Sequence, residues 1–595
     1  MRTLSYALLI LGTVTFSSCT LNKMLKMAKD QELTVTPDPL ELHNDRVKFD
    51  VSAKLPEKMM KKGFVYSIES RYEYAGQELK LENLDISGDD ASTSKTVSRE
   101  FAYQEGMEKG VLVAEGYAIK SSNQKRKGPT DQMEVVRGLI TTSKLVEKPA
   151  YGAYVSYDYK DETVGGWTPD EELEPTNIAF YFEQGRHVLR TSEKRSDRGK
   201  YFSAFIAEKN VTRTVTITGT HSPEGPERIN SKLSENRAEV IENFYVENMK
   251  KYDYKGEADE IKFVLKPVIE DWTDFKKHLE EYDGISSSEK SQVLTIVNGS
   301  GSFEDKENQI SKLPFYKKLF NDIYPELRAA RTEILTVMPK RSAAEISVLA
   351  KQIVEGKLPA DTLSYGELAY AAYLTPSAKE KVAIYEATIK TYDNWAAHNN
   401  LGAAYMEEVA QGEGDANTNR EKAVTQFELS NRKKANAYAK ANLGVAEYLQ
   451  GNTDKGLSEI NEAMGMNLPS NVVYGFNGVK GAIEIEKAMY SDAVKSLSNA
   501  TDNAVNLYNK ALAQVLSKDY ENALITLDEL ADKDSENAKG HYLAAIAAAR
   551  MGNAQKAVES IGKSVAIDSS LKQKALDDLE FRALASNEAF RTALR

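Results

Sequence analysis

The 595-residue chain holds a single cysteine, Cys19, and six histidines. One thiol cannot close an intrachain disulfide, so each domain depends on its own core. His43, His187, His221, His278, His398 and His541 never fall at metal-ligand spacing. No GxSxG, P-loop or GxGxxG pattern sits in a strand-to-helix context, and no cysteine is placed as a nucleophile. The expectation is a protein without catalysis, metal or cofactor. A positive balance is also lacking: 77 lysines and arginines stand against 89 aspartates and glutamates, and the net charge of −12 is spread along the chain. Phosphate backbones demand a basic footprint, so nucleic acid is excluded as a main partner. Past the N-terminal segment, no apolar run approaches the ~18 residues of a membrane span.

The N-terminal segment is the first positive feature. Met1 and Arg2 precede YALLILGTVTF, an apolar core of signal-segment length and short for a span, and SSC follows. Ser17 and Ser18 before Cys19 resemble the bacterial lipobox, in which the cysteine is acylated and becomes the mature N-terminus. The resemblance implies a signal peptide over 1–18, lipidation at Cys19 and a lipid-anchored tether over 19–32. Each acyl methylene buried in a bilayer contributes about 0.8 kcal/mol.

Residues 33–150 alternate with period two. Val47, Phe49, Val51 and Ala53 interleave with Lys48, Asp50 and Ser52, and Phe64, Tyr66 and Ile68 repeat the rhythm. Turns are marked by Pro37, Pro39, YAGQE and SSNQKRKGPTD. An antiparallel β-sandwich of immunoglobulin-like size fits this pattern. The basic run Lys125 to Lys127 reads as a solvated hairpin tip.

Residues 151–339 alternate strand and helix patterns, which implies an α/β sheet with packed helices. NIAFYF, RTVTITG, IKFVLKPV and TEILTVM read as strands, and RSDRGKYFSAFIAEK and ERINSKLSENRAEVIENFYVENM as helices. In the long helix Ile229, Leu233, Val240 and Phe244 form an apolar stripe, and Arg237 falls within it. A guanidinium there requires a partner, so an anion is expected at the TGTHSPEG turn before the helix. Gly219, Gly225, Asn230, Leu233, Ser234, Arg237 and Ala238 resemble, in order and spacing, the signature of the OmpA-like peptidoglycan-associated domain. The resemblance runs from about Asn177 to Pro339, with an insertion before the last strand.

It implies that Arg237 binds the carboxylate of peptidoglycan diaminopimelate, with Asn230 in the same pocket. The family's aspartate for the ligand ammonium is here Ser222. Loss of one partner of such a pair costs about 2 to 5 kcal/mol, roughly 30-fold or more in affinity. Glu224 either substitutes for that carboxylate or pairs with Arg237 and closes the pocket. The SPEG variant, VTPDPLELHNDRVKFDVSAKLPEK, EDWTDF and YPELR resemble a Bacteroidota-type group of outer-membrane lipoproteins that fuse an OmpA-like domain to helical repeats. CTLNKMLKMAKD lacks an early acidic cluster, which by that resemblance implies the periplasmic face of the outer membrane.

Residues 342–595 are helical, alanine-rich and repetitive. Small residues recur at Ala423, Gly456, Ala493, Ala523 and Ala557, at intervals of 33, 37, 30 and 34 residues. These lie near the roughly 34-residue period of tetratricopeptide (TPR) repeats, so a TPR-like solenoid is expected. The insertion AQGEGDANTNRE carries Glu413, Asp415 and Asn417 without an EF-hand pattern and reads as an acidic loop. Leu576, Leu579, Ala583, Phe590 and Leu594 mark a terminal capping helix.

Two functions follow from this multidomain plan. In one, Cys19 holds the outer membrane, Arg237 holds peptidoglycan and the repeats position a protein partner. In the other, the protein is purely a scaffold or accessory subunit of an assembly or secretion machine, with protein partners on the sandwich and the repeats and no peptidoglycan bound.

Overall fold

A computed structural model describes residues 11–90, 92–148, 165–254, 260–268, 272–466 and 468–595. The beginning of the expected signal peptide, 1–10, and the start of the central domain, 151–164, lie outside the described residues. Contacts divide the chain into two compact units, one formed by residues up to Trp167 together with 346–595, the other by 168–345. The β-rich region and the helical repeats therefore share one unit, and the α/β region is the other.

The β-rich part has two sheets. In the first, β3 (Arg46–Lys54) carries β1 (Glu32–Thr36) and β2 (Leu40–His43) on one edge and β7 (Ser94–Ala102) on the other. In the second, β4 (Phe64–Tyr74) lies between β8 (Val111–Lys120) and the short β5 (Gln77–Lys80) and β6 (Leu84–Ser87). β9 (Lys125–Lys127) and β10 (Met133–Arg137) pair with β8. β11 (Leu139–Ile140) pairs with β2 in parallel, the exception to an otherwise antiparallel plan. The alternation in β3 is realised: Val47, Phe49, Val51 and Ala53 are buried and meet Tyr66, Ile68, Tyr72 and Leu112 in one core.

The expected tether differs. A helix runs over Leu11–Met27, and Leu21, Met24 and Ala28 are buried in the sandwich core. Their spacing makes a one-sided stripe that binds this stretch to the sheet rather than leaving a linker. Cys19 is exposed. No helix among the described residues is long and apolar enough to cross a membrane.

The α/β unit has one four-stranded sheet in the order β12 (Leu173–Tyr181), β15 (Ala329–Val337), β13 (Thr212–Gly219), β14 (Lys262–Pro267). β13 and β14 are parallel, and β15 is antiparallel to both of its neighbours. The helices Asp197–Ala207 and Glu227–Lys251 share its core through Phe202, Ile206, Ala238, Ile241 and Phe244. Gly219 lets strand and helix touch, since a Cβ there would stand 1.9 Å from the Ser234 carbonyl oxygen. Between β14 and β15 lies an inserted helical lobe with its own core, including Trp272, Phe275, Phe303, Leu319 and Tyr324.

The C-terminal region is a series of antiparallel helix pairs. Trp395–Gln411 pairs with Ala416–Lys433, Ala437–Leu449 with Thr453–Met464, and Ser470–Glu486 with Tyr490–Ser498. Ala504–Leu516 then pairs with Tyr520–Lys533, and Ala538–Arg550 with Ala554–Ile567. Ala423, Gly456, Ala493, Ala523 and Ala557 are buried where the partners cross. Crossing is close: a Cβ on Gly444 would lie 2.8 Å from the Gly456 carbonyl oxygen. Asparagines cap four of the first helices, with Asn394, Asn436, Asn503 and Asn537 each accepting a backbone N–H.

Asp415 of the acidic insertion likewise caps Ala416–Lys433. The expected single capping helix is instead three short pieces, Leu571–Asp577, Leu579–Leu584 and Glu588–Ala593. Asp578 and Asn587 accept backbone N–H groups and restart the chain at each break, and Leu576 is exposed.

Candidate functional site

In the α/β unit the turn before Glu227–Lys251 gathers the residues singled out in the sequence. Arg237 is 1% exposed, yet no carboxylate among the described residues lies within ion-pair distance of it. Its Nη1 donates to the Thr220 carbonyl at 2.7 Å, its Nε to the Arg186 carbonyl at 3.0 Å and its Nη2 to the Glu183 carbonyl at 3.4 Å. Burial, then the neighbouring Arg328, lowers its pKa to about 10.

The partner of Glu224 is Arg328, not Arg237. Arg328 donates to Glu224 Oε1 from Nη2 at 2.9 Å and from Nε at 3.1 Å, and from Nε to Ser222 Oγ at 2.9 Å. Ser222 and Glu224 thus face the same guanidinium. Asn230 donates to the Glu224 and Gly225 carbonyls and braces the turn. The apolar stripe of the helix is displaced from the sequence reading: Ile229 is 51% exposed, whereas Asn230 and Ser234 are buried because they hold the turn and the helix backbone.

The anion expected beside Arg237 is not met by any carboxylate among the described residues; at the helix N-terminus the chain places a carboxylate of its own. The Glu227 N–H donates to Glu304 Oε1 of the inserted lobe at 2.7 Å. Phe303 beside it packs edge-on against His221, whose pKa burial lowers. Deeper in the lobe, Tyr324 and Tyr316 donate to the buried Glu307 carboxylate. Arg328, Glu304 and Glu307 were not legible as site residues, because an insertion separates them from the helix in sequence. The YPELR segment, whose arginine directly precedes a strand, was the available signal for Arg328.

Burial raises the Glu307 pKa from 4.5 to about 7, against the two tyrosine hydrogen bonds. A folded-state pKa above the unfolded value means that the folded state binds the extra proton between those limits. Its contribution is therefore full below pH ~4.5 and is lost as pH rises through ~7. Glu307→Gln is expected to flatten that part of the stability profile of the α/β unit, measured as urea midpoints between pH 5 and 8.

A second set of functional groups lies on the first helices of the repeats. There the chain's own segment Thr142–Lys148, leaving the sandwich, packs against Ser470–Glu486, Ala504–Leu516 and Ala538–Arg550. Asn509, fully buried, donates to the Glu147 carbonyl at 2.8 Å and accepts from the Glu147 N–H at 2.9 Å. Lys539 pairs with the Glu147 carboxylate at 2.5 Å and Lys148 with Glu486 at 3.2 Å.

This succession of helix pairs defines the C-terminal part as a TPR-type helical repeat. No family model and no curated protein matches the chain. Among solved structures it is similar to YrrB, a TPR protein described as having an unusual peptide-binding site, at 15% identity and a TM-score of 0.27, over 32% of this chain and 97% of that one. It is also similar to MamA from Desulfovibrio magneticus, at 17% identity and a TM-score of 0.26, over 30% and 97% of the two chains. A third is the C-terminal part of a TPR repeat-containing protein from Cytophaga hutchinsonii, at 14% identity and a TM-score of 0.29, over 42% and 92%. At these scores the helix pairs themselves, rather than the likeness, carry the assignment.

Proposed function

We propose that the protein is a lipid-anchored scaffold on the periplasmic face of the outer membrane, with protein partners on the repeat-bearing unit and no peptidoglycan held by the OmpA-like domain. One observation carries the choice between the two readings: the guanidinium groups at the OmpA-like turn are already engaged. Arg237 is spent on three carbonyls, and Ser222 with Glu224 is spent on Arg328. A diaminopimelate carboxylate would have to displace backbone acceptors from a guanidinium that is 1% exposed. The strand–helix framework and Arg237 support the OmpA-like fold, while the Ser222 and Glu224 arrangement supports its use as a closed structural domain.

The membrane part of the proposal rests on Cys19, exposed near the start of the sandwich and preceded by Ser17 and Ser18. Fractionation and sedimentation test both parts together. Cys19→Ala is expected to move the protein from membranes to the soluble periplasmic fraction, and the parent is expected to stay in the supernatant with purified sacculi. Firm membrane retention of Cys19→Ala after a salt wash would reject the lipid anchor. Co-sedimentation of the parent, lost on Arg237→Ala in a folded variant, would restore the peptidoglycan anchor reading.

A further inference from the structure

The repeat groove holds part of its own chain in the way that a repeat groove would hold a guest. Asn509 makes both of its amide hydrogen bonds to the main chain of one residue, Glu147, which follows a short 3-10 turn over Thr142–Leu145, so the contact reads backbone and not side-chain identity. Side-chain selection is added around it. Lys539 takes the Glu147 carboxylate, Glu486 takes Lys148, and the Lys148 ammonium lies 4.8 Å from the centre of the Tyr448 ring. Leu145 and Val146 pack on the apolar core of the repeats. Beside them an open cavity of about 440 Å³ is bordered by Tyr508, Tyr542, Leu571 and Lys574. No carboxylate among the described residues lies within ion-pair distance of Lys574, whose ammonium sits 4.9 Å from the Tyr542 ring centre.

We infer that Leu145–Lys148 is an exchangeable internal ligand, and that the groove across helices 437–449, 470–486, 504–516 and 538–550 takes a partner segment bearing an aliphatic pair followed by an acidic and a basic residue. Charge complementarity fixes the order along the segment: Lys539 at the acidic position and Glu486 at the basic one. Partner binding then competes with the internal segment, so the parent protein binds such peptides more weakly than its groove allows. This rests on the scaffold reading of the repeats.

The test uses the full chain and a fluorescein-labelled peptide Thr-Ser-Lys-Leu-Val-Glu-Lys, the sequence of residues 142–148. With Leu145→Ser, Val146→Ser and Glu147→Ser combined, the peptide is expected to bind at least ~10-fold more tightly than to the parent by fluorescence anisotropy, a gain that requires the internal segment's hold to weaken by only about 1.4 kcal/mol. Adding Asn509→Ala is expected to reverse the gain. Should the triple variant lose its helical circular dichroism, Glu147→Ala alone carries the same comparison, because that side chain is held by one ion pair at the surface.

Lys539→Glu is expected to prefer the same peptide with lysine in place of glutamate. Equal affinity for parent and opened variant, or no binding to an opened variant that melts like the parent, would show the segment to be a fixed staple and overturn the proposal. Recovery of protein partners with no peptide exchange would reject this inference alone. Peptide exchange with no partner recovered by cross-linking from native membranes would reject the scaffold reading alone.

Discussion

Arg328→Ala is expected to destabilise the α/β unit by about 3 to 5 kcal/mol, the usual cost of removing one member of a buried ion pair. The Arg328 and Glu224 side chains are only 8% and 15% exposed, so little solvent screens the pair or compensates for its loss. Glu224 Oε2 is already buried without a hydrogen bond, and Ser222 loses the guanidinium as well. Among the described residues no second cation lies within ion-pair distance of the carboxylate left behind: nearby Arg237 is fixed by the carbonyls of Thr220, Arg186 and Glu183. Glu224→Gln in the same background should recover much of the loss, because the stranded charge is then gone. A coupling of about 2 kcal/mol or more between the two changes is the expected sign of direct contact. Segment-resolved hydrogen exchange reads this best in a chain of two units, through the amides of β13 and β15. Unchanged protection there would mean that the pair is solvated and that the turn is open to a ligand after all.

The same contacts explain what the sequence could and could not disclose. Arg237 was legible as a buried cation needing company, because it falls between apolar helix positions. Its company proved to be main-chain carbonyls, which carry no residue signature. The anion at the helix N-terminus was legible as a need, but its source, Glu304, lies in an inserted lobe whose packing no local pattern reveals. Period-two alternation placed the sandwich strands directly, because Val47, Phe49, Val51 and Ala53 share one face of β3. Small residues marked the helix crossings for the same reason: at Gly444 and Gly456 only a missing side chain allows the approach. By contrast, Leu21 and Met24 read as part of a tether because a short stripe beside a signal segment has no partner visible in sequence.

The contact between sandwich and repeats was the least legible feature, since it joins residues hundreds of positions apart. Thr142 donates to Glu580 across 438 positions, and Arg582 meets Asp38 at 2.9 Å. Its centre is Arg550, at the end of helix Ala538–Arg550. Arg550 binds Glu580 through two hydrogen bonds of 2.7 and 2.8 Å and faces Glu41 of β2 at 3.6 Å. Burial alone would lower the Arg550 pKa, but Glu580 and Glu41 outweigh it and the net direction is upward. The seam is thus a desolvated cation between two carboxylates, joined by His43, which contacts both Glu41 and the Tyr490 hydroxyl.

Arg550→Ala is expected to cost about 3 to 5 kcal/mol, because the Glu580 side chain, 2% exposed, then keeps its charge without a cation. Arg550→Lys should rescue little, since an ammonium cannot reproduce the two-pronged contact. The loss should be local. Helix pairs touch mainly their neighbours, so amides in 538–567, 579–584 and β2 should lose protection while those in 395–464 keep theirs. Acid should act on the same seam: the Glu41 pKa is lowered, first by the His43 hydrogen bond and then by Arg550 against burial. A depressed folded-state value means that this stabilisation is present above pH ~4.5 and is lost as pH falls through the lowered pKa. Hydrogen exchange of parent and Arg550→Ala at pH 7 measures the result. Loss of protection spread evenly over 395–464 would show that the repeats unfold as one block, and no loss at 579–584 would show that the buried charge at Glu580 finds compensation elsewhere.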